Sequence, residues 1–389
     1  MAVIADSLVS EIINKDSLTK RLSSGRKLVI KFGVDPTSPD LHLGHAIALY
    51  KLRQFQQLGH QTVLLIGDFT TKIGDPSGRN STRPLLTDEE IAANLKTYIE
   101  QARLIIDPRK TKIEYNSRWL SKQSYADFIK MAMRVSLQTL LEREDFSSRL
   151  KNKQPIALHE LFYPVTQGFD SVEMKADVEI GGWDQRLNLL MGRELQKKFG
   201  QPAQDIVVTR ALVGTDGQKK MSKSYGNYIG LTESADSMFG KVMSIPDSLV
   251  VEYGELAALM GDEVQVKAKL KGLGPRDQKA LVAKTIVALY HGDNGAQAAE
   301  RAFNQTFRDK KVADHLAADL VFNQDTVSLL HAVSEAAESS HSQALRLIAQ
   351  GAVKIDGQKM ADPNFEVKVG SGTLLQVGKH TWRNLRRRA

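Results

Sequence analysis

The chain has 389 residues and no cysteine. Disulfides, cysteine-ligated zinc and thiol nucleophiles are therefore excluded. No apolar run approaches the roughly 20 residues of a membrane-spanning helix, so no membrane partner is expected. The first residues carry Asp6 and Glu11 without an early basic cluster. Neither a signal nor a transit peptide is read there, and a cytoplasmic location is expected. Internal repeats, low-complexity tracts and a Walker-type glycine loop are also missing. His159-Glu160 is followed at 163 by tyrosine rather than histidine, so a zinc-protease motif fails to form. No tightly bound protein metal is expected.

What remains is the composition of a soluble globular protein, 42% hydrophobic and 25% charged, with room for two or three domains. The net charge of +8 is unevenly spread. From His341 to Ala389 nine Lys/Arg stand against three Asp/Glu, so that stretch carries +6 of the whole. The bulk is nearly neutral, and the asymmetry points to nucleic acid at the C-terminal end.

Val34-Asp35-Pro36-Thr37-Ser38-Pro39-Asp40-Leu41-His42-Leu43-Gly44-His45 organises the first half. Leu28 to Val34 reads as a short apolar strand. Leu49, Leu52, Phe55 and Leu58 recur every three residues before Gly59, which predicts an amphipathic helix with a glycine stop. His-Leu-Gly-His thus sits where a strand hands over to a helix. Unpaired N–H groups and the positive end of the helix dipole favour a phosphate there. Taken alone, the tetrad is also compatible with a surface turn that carries two histidines.

Further along, residues 1 to about 25 read as a short helix with Leu8, Ile12 and Ile13 on one side. Thr62 to Gly67 reads as a buried parallel strand, completing a βαβ unit and pointing to a doubly wound sheet. Gly74-Asp75-Pro76-Ser77-Gly78 is turn-rich. Thr87-Asp88-Glu89-Glu90 starts a helix that continues to Leu104. Residues from Asn116 to about Arg149 are helical in pattern and form an insertion. Ala176 to Ile180 and Ile206 to Val213 are strands, the second leading into Lys219-Lys220-Met221-Ser222-Lys223-Ser224. A helical region follows Asn227.

The tetrad and the lysine-rich hexad, in this order and about 175 residues apart, resemble the paired signatures of class I aminoacyl-tRNA synthetases. Tyr163, Gln167 and Asp170 are spaced four then three, which puts them on one helix face, with Pro164 in the first turn and Val165, Phe169 and Val172 on another face. This pattern resembles the amino-acid-binding helix of bacterial tyrosyl-tRNA synthetases. The resemblance implies that Tyr163, Gln167 and Asp75 hold the ammonium of L-tyrosine, and Asp35 is also expected among the tyrosine-binding residues. Asp170 accepts from the phenol. An acceptor built for a hydroxyl rejects phenylalanine by about 10⁵, tyrosyl enzymes themselves being the type case of that rule. No editing domain is needed, and the chain leaves no room for one. Gly181-Gly182-Trp183-Asp184-Gln185 follows a strand, where open α/β sheets bind ligands. The family uses Asp184 for ribose hydroxyls and Gln185 for substrate.

Two positions depart from many relatives. Lys31 stands where a tyrosine contacts the phenol, and Glu179 where many carry glutamine. Lys31 either donates to the phenol oxygen or points elsewhere. Together with the unaltered Lys-Met-Ser-Lys-Ser, these changes mark one branch of the bacterial tyrosyl enzymes.

The implied chemistry is ATP-dependent activation of tyrosine followed by transfer to the 3′ end of tRNA. Thr37, His42, His45, Lys220 and Lys223 are the expected catalytic residues, stabilising charge on the leaving pyrophosphate. Asp35, Gly44, His42, His45, Gly182, Asp184 and Lys223 are expected at ATP, whose Mg²⁺ travels with the nucleotide. Gly214 and Gly217 are read as hinges of the lysine loop. The C-terminal stretches Ser339–Ile348 and Gly351–Gly357 resemble an S4 RNA-binding domain. Arg346, Lys354, Lys379, Arg383, Arg386, Arg387 and Arg388 are its expected tRNA contacts, with Trp382 stacking or packed.

The expected architecture is a Rossmann-like doubly wound α/β catalytic domain over 1–228, with a helical insertion at about 117–150. A helical anticodon-binding domain over 229–325 and a small α+β S4-like domain over 326–389 follow. A homodimer is expected through the apolar insertion. Other functions share parts of this pattern. The tryptophanyl relative is disfavoured by Asp170 and by the C-terminal module, which it lacks. An HxGH nucleotidyltransferase needs neither the lysine signature nor an RNA-binding tail. A non-catalytic synthetase-like RNA-binding protein would have lost phosphate-binding residues, and none is missing.

Overall fold

Six strands build the sheet that carries the site: β1 (Val9–Ile13), β2 (Val29–Val34), β3 (Gln61–Ile66), β4 (Thr111–Tyr115), β5 (Val178–Gly182) and β6 (Asp205–Thr209). The structure, a computed structural model, describes residues 7–77, 86–142, 144–308, 318–337, 339–370, 373–378 and 381–387. Spatial order is β1-β6-β5-β2-β3-β4, and β2 to β6 run parallel. The chain moves outward from β2 through β3 to β4, then returns to the other side of β2 as β5 and β6. The sheet therefore has a switch point between β2 and β5, where doubly wound sheets open a ligand crevice.

The expected first helix is corrected. Residues 9–13 form β1, antiparallel to β6 with Ile12 opposite Val207, and only Lys15–Ser23 is helical. The β-branched residues that suggested an apolar helical side complete a sheet edge instead, and Asn14 turns the chain at φ 66°. Strand β4 is the one the sequence hid. Thr-Lys-Ile-Glu-Tyr carries a single aliphatic residue and lies at the sheet edge, paired only with β3. Strand β6 stops at Thr209, four residues before the expected end.

The helix after β2 runs Leu43–Gln57, with Leu49, Leu52 and Phe55 buried and Gly59 at φ 83° just past its end. The helix before β5 runs Leu158–Met174. Pro164 is its seventh residue rather than part of the first turn, a second correction. A buried ion pair between Glu160 and Arg149 anchors the extra N-terminal turn. Val165, Phe169 and Val172 pack with Leu120, Met131 and Leu140 from the insertion and with Met191 and Leu195. That insertion is four short helices: Ser117–Leu120, Tyr125–Ala132, Leu137–Leu141 and Glu144–Lys151.

Two compact units divide the chain, Met1–Ala296 and Gln297–Ala389. Helices Ala235–Met243, Val250–Leu256 and Glu263–Leu270 belong to the first. The second contains a five-stranded sheet formed by β7 (Ala318–Phe322), β9 (Val353–Ile355), β10 (Gln358–Lys359), β12 (Thr373–Val377) and β13 (Thr381–Arg387), in the order β10-β9-β12-β13-β7. A two-stranded ribbon joins β8 (Thr326–Ser328) to β11 (Glu366–Lys368). Strand β7 pairs with β13 and lies before residue 326, so the C-terminal fold starts earlier than its expected boundary. Its core gathers Leu329, Val333, Ala344, Ile348, Leu375 and Leu385. Among the described residues no helix is long and apolar enough to cross a membrane.

Candidate active site

A cavity of about 610 Å³ opens at the switch point. Fourteen residues singled out from the sequence line it: Lys31, Asp35, Thr37, His42, Gly44, His45, Asp75, Tyr163, Gln167, Asp170, Gly182, Asp184, Gln185 and Lys220. Lys223 stands behind the wall, donating to the hydroxyl of Tyr98, itself a lining residue, at 3.0 Å.

The inner end is acidic. Asp35, just after β2, accepts from Tyr163 Oη at 2.8 Å and Thr70 Oγ1 at 2.9 Å. A Cβ on Gly67 would run into its carboxylate, so glycine is required where β3 ends. Asp75 accepts from Gln185 Nε2 at 2.7 Å and from the Ser77 N–H at 2.9 Å. Burial pushes Asp35 up to about 7, and the neighbouring Asp75 charge adds to the shift against hydrogen bonds from Tyr163 and Thr70. Gln167 contributes a buried side-chain oxygen, Oε1, with no hydrogen-bond partner. A carboxylate raised by burial and by a second carboxylate's charge, with an orphaned acceptor lining the same cavity, describes a site for a cation.

Deeper on the same helix face lies Asp170. Trp119 Nε1 donates to its Oδ1 at 2.8 Å and Asn116 Nδ2 to its Oδ2 at 3.2 Å. Burial raises it to about 7, opposed chiefly by the Lys31 charge and then by these two donors. Each oxygen keeps lone-pair capacity for a further donor. Lys31 does not supply that donor: its ammonium reaches Glu179 Oε1 at 2.8 Å, Ser171 Oγ at 2.8 Å and the Gln167 carbonyl at 3.3 Å.

The outer end is cationic and carries the signature residues. His42 caps the Leu43–Gln57 helix, and the two imidazoles lie 3.8 Å apart between ring centroids. His45 Nδ1 accepts from the His42 N–H at 3.2 Å, so its proton is on Nε2 and available to an incoming oxygen. Burial, reinforced by the Lys223 and Lys220 charges, pulls His45 down to about 3. His42 is held well below its usual range by burial first and by His45 next. Both rings are therefore neutral donors. A Cβ on Gly44 would sit 3.0 Å from the His42 ring, which explains the glycine. The Leu43 N–H is already taken by the Ile229 carbonyl at 3.0 Å and is not among the donors open to the cavity.

Lys220 Nζ lies 2.8 Å from Asp184 Oδ2, both about 40% exposed, and Lys223 also donates to the Asp40 carbonyl. The lysine loop is held by Asn227, whose side chain accepts from the Ser222 N–H at 2.8 Å and donates to Asp216 at 2.9 Å. Gly214 and Gly217 are not simple hinges. A Cβ on Gly214 would collide with Asn227, and Gly217 turns the chain at φ 74° against Pro246.

Sequence reasoning missed Thr70, Tyr98, Asn116 and Trp119. Asn116 immediately follows β4, so recognising that edge strand would have put it at the ligand-binding end of the sheet. In the C-terminal unit, Arg383, Arg386 and Arg387 share β13, with Arg346 on the His341–Ala349 helix and Lys354 on β9. Arg386 pairs with Asp319 at 2.7 Å and Arg387 with Asp325 at 2.6 Å, all four exposed. Trp382 is half-buried and opposite Gln376. Lys379 and Arg388 lie outside the described residues.

Residues 23–308 match the family model of tRNA synthetases class I (W and Y). The tyrosine–tRNA ligase of Moorella thermoacetica is 46% identical over 387 residues, spanning 97% of this chain and 93% of that one. The chain belongs to the tyrosine–tRNA ligases of class I. Within that family, the Idiomarina loihiensis ligase is 48% identical over 375 residues, covering 95% of this chain and 93% of its own. Residues 337–371 match the S4 domain model. The fold is shared with the tyrosyl-tRNA synthetase from Archaeoglobus fulgidus complexed with L-tyrosine (TM-score 0.61, 23% identity, 77% of this chain and 98% of that one). The Aspergillus nidulans mitochondrial tyrosyl-tRNA synthetase is similar at TM-score 0.63 and 20% identity, covering 77% and 91%.

Proposed function

We propose that the chain activates L-tyrosine with ATP and transfers it to the 3′ end of tRNA(Tyr). The observation that carries this reading is Asp170: a buried carboxylate, fixed by two donors, at the far end of a cavity whose mouth holds two neutral imidazoles and a lysine loop. The ammonium of tyrosine meets Asp35, Asp75, Gln167 and Tyr163, and its phenol donates to Asp170. Gln185 steadies Asp75 and borders the amino acid. Gly182 and Asp184 face the ATP ribose, which requires the Lys220–Asp184 pair to part.

The substrate carboxylate attacks the α-phosphorus, a bond forms to its oxygen, and the bond to pyrophosphate breaks. That nucleophile is already an anion, so no general base is needed. His42 and His45 donate to phosphate oxygens from uncharged rings, and Thr37, Lys220 and Lys223 balance charge on the departing pyrophosphate, whose Mg²⁺ arrives with ATP. A ribose hydroxyl of the tRNA then takes the acyl group and AMP leaves.

Residues from 229 up to β7 serve as an anticodon-binding region, and the S4-like unit holds tRNA through Arg346, Lys354, Arg383, Arg386 and Arg387. A homodimer is supported by the exposed apolar residues of the insertion, Tyr125 and Met133 at 81% and Leu137 at 57%. The assembly works in the cytoplasm. ATP–pyrophosphate exchange measured with each of the twenty amino acids tests the reading: tyrosine alone supports exchange, and equal exchange with phenylalanine or tryptophan overturns it. A chain ending at Arg308 keeps exchange and loses tRNA charging. The cut belongs there rather than at the expected boundary after 325, because β7 pairs with β13.

A further inference from the structure

Lys31 and Glu179 are the only oppositely charged side chains whose buried pairing lies against the inner wall of the cavity among the described residues, Lys31 at 0% and Glu179 at 1% exposure. An ammonium has three protons. All three of Lys31 are committed, to Glu179 Oε1, Ser171 Oγ and the Gln167 carbonyl. Glu179 is engaged on both oxygens, its Oε2 accepting from Ser171 Oγ at 3.1 Å and from Gln204. Two of these partners, Gln167 and Ser171, bracket Asp170 on the same helical turns, one three residues before it and one directly after. The pair has no donor left for a substrate, yet it brings a full positive charge beside the carboxylate that faces the phenol.

We infer that Lys31 is a positioning residue that determines specificity by holding Asp170 in its anionic form, and that Glu179 sets how strongly it does so. The inference rests on the tyrosine reading above for the ligand, but not for the electrostatics. Burial favours a protonated Asp170, and a protonated carboxyl is a poorer acceptor for a phenol. The groups that face it are Lys31 from β2 and Glu179 from β5, with Trp119 and Asn116 donating from the opposite side and Asp35 nearby at the end of β2. Lys31 is the only cation in that set. Glu179 partly cancels it, so the two substitutions act with opposite sign. A purely structural role for the pair predicts the same sign for both.

The experiment follows the Asp170 carboxyl in the full chain by ¹³C NMR with labelled aspartate, assigned against Asp170→Asn, while pH is varied. Lys31→Gln raises the Asp170 midpoint and Glu179→Gln lowers it, each by about one pH unit, a tenfold change in ionisation. In parallel, equilibrium dialysis with tyrosine shows weakened binding near pH 6.5 for Lys31→Gln and strengthened binding for Glu179→Gln. The double variant Lys31→Gln/Glu179→Gln removes both charges, avoids leaving a lone buried ion, and returns the midpoint toward its starting value. Shifts of equal sign, or none in the Glu179→Gln protein, overturn the inference even where Lys31→Gln fails to fold. If the midpoints move as stated but the unsubstituted chain binds phenylalanine as well as tyrosine, the substrate reading falls and the control of Asp170 by the pair stands.

Discussion

The two ends of the cavity solve opposite problems. At the inner end, the carboxylates, Asp170 buried and Asp35 and Asp75 half-buried, are held by named donors: Asp35 by Tyr163 and Thr70, Asp170 by Trp119 and Asn116, Asp75 by Gln185. At the outer end, the imidazoles are neutral, Lys220 rests on the about 40%-exposed Asp184, and Lys223 rests on the Asp40 carbonyl and the Tyr98 hydroxyl. Rigid acceptors suit recognition of a small molecule whose shape does not change. Loosely engaged cations suit a phosphate chain whose charge shifts as the reaction proceeds. Under the proposed function, the inner end would discriminate before chemistry and the outer end would act mainly during it.

That contrast is open to attack in a graded series. The largest effect belongs to Lys223→Ala, which lowers the rate of adenylate formation by about 10²–10³ while the tyrosine dissociation constant stays within twofold of about its original value. Pre-steady-state kinetics measures both, and a change confined to tyrosine binding would erase the division. Asp170→Asn does the reverse: kcat/KM for tyrosine falls by about 10² and the ratio to phenylalanine collapses, with KM for ATP unchanged. Trp119→Phe, which removes one donor from Asp170, raises KM for tyrosine by about tenfold.

Acidity separates the ends as well. Asp35 and Asp170 stand near 7 in the free protein, so both hold protons below that pH. A cationic ammonium and a donating phenol need them ionised. Tyrosine affinity is therefore present above about pH 7 and lost as pH falls through it, by about tenfold per unit for each carboxyl. His45, near 3, stays neutral throughout. The acid limb should appear in KM for tyrosine and not in KM for ATP. The smallest effect is on stability: Lys220→Met breaks the half-exposed pair with Asp184 and changes unfolding free energy by less than about 1 kcal/mol, measured by denaturant titration.

Much of this was legible in one dimension, for identifiable reasons. The strand–His-Leu-Gly-His–helix junction is local, so apolar spacing and a glycine stop locate it. Tyr163, Gln167 and Asp170 share a face because helical spacing dictates it, even though Pro164 lies deeper in the helix than expected. What escaped was everything set by a partner distant in sequence. Val9–Ile13 is a strand because β6 offers an edge. Thr111–Tyr115 is one because β3 does, and Asn116 and Trp119 reach Asp170 only once β4 is in its place.

Residue type and spacing by themselves determined which groups are proposed for phosphate, which is proposed to read a hydroxyl, and that the C-terminal stretch is basic. Tertiary structure alone decided the state and freedom of those groups. It committed every proton of Lys31 to a buried glutamate, a serine and a main-chain oxygen, and it kept both histidines uncharged. The physical reason is that composition names a charge, whereas desolvation and the distance to its neighbours determine how it behaves.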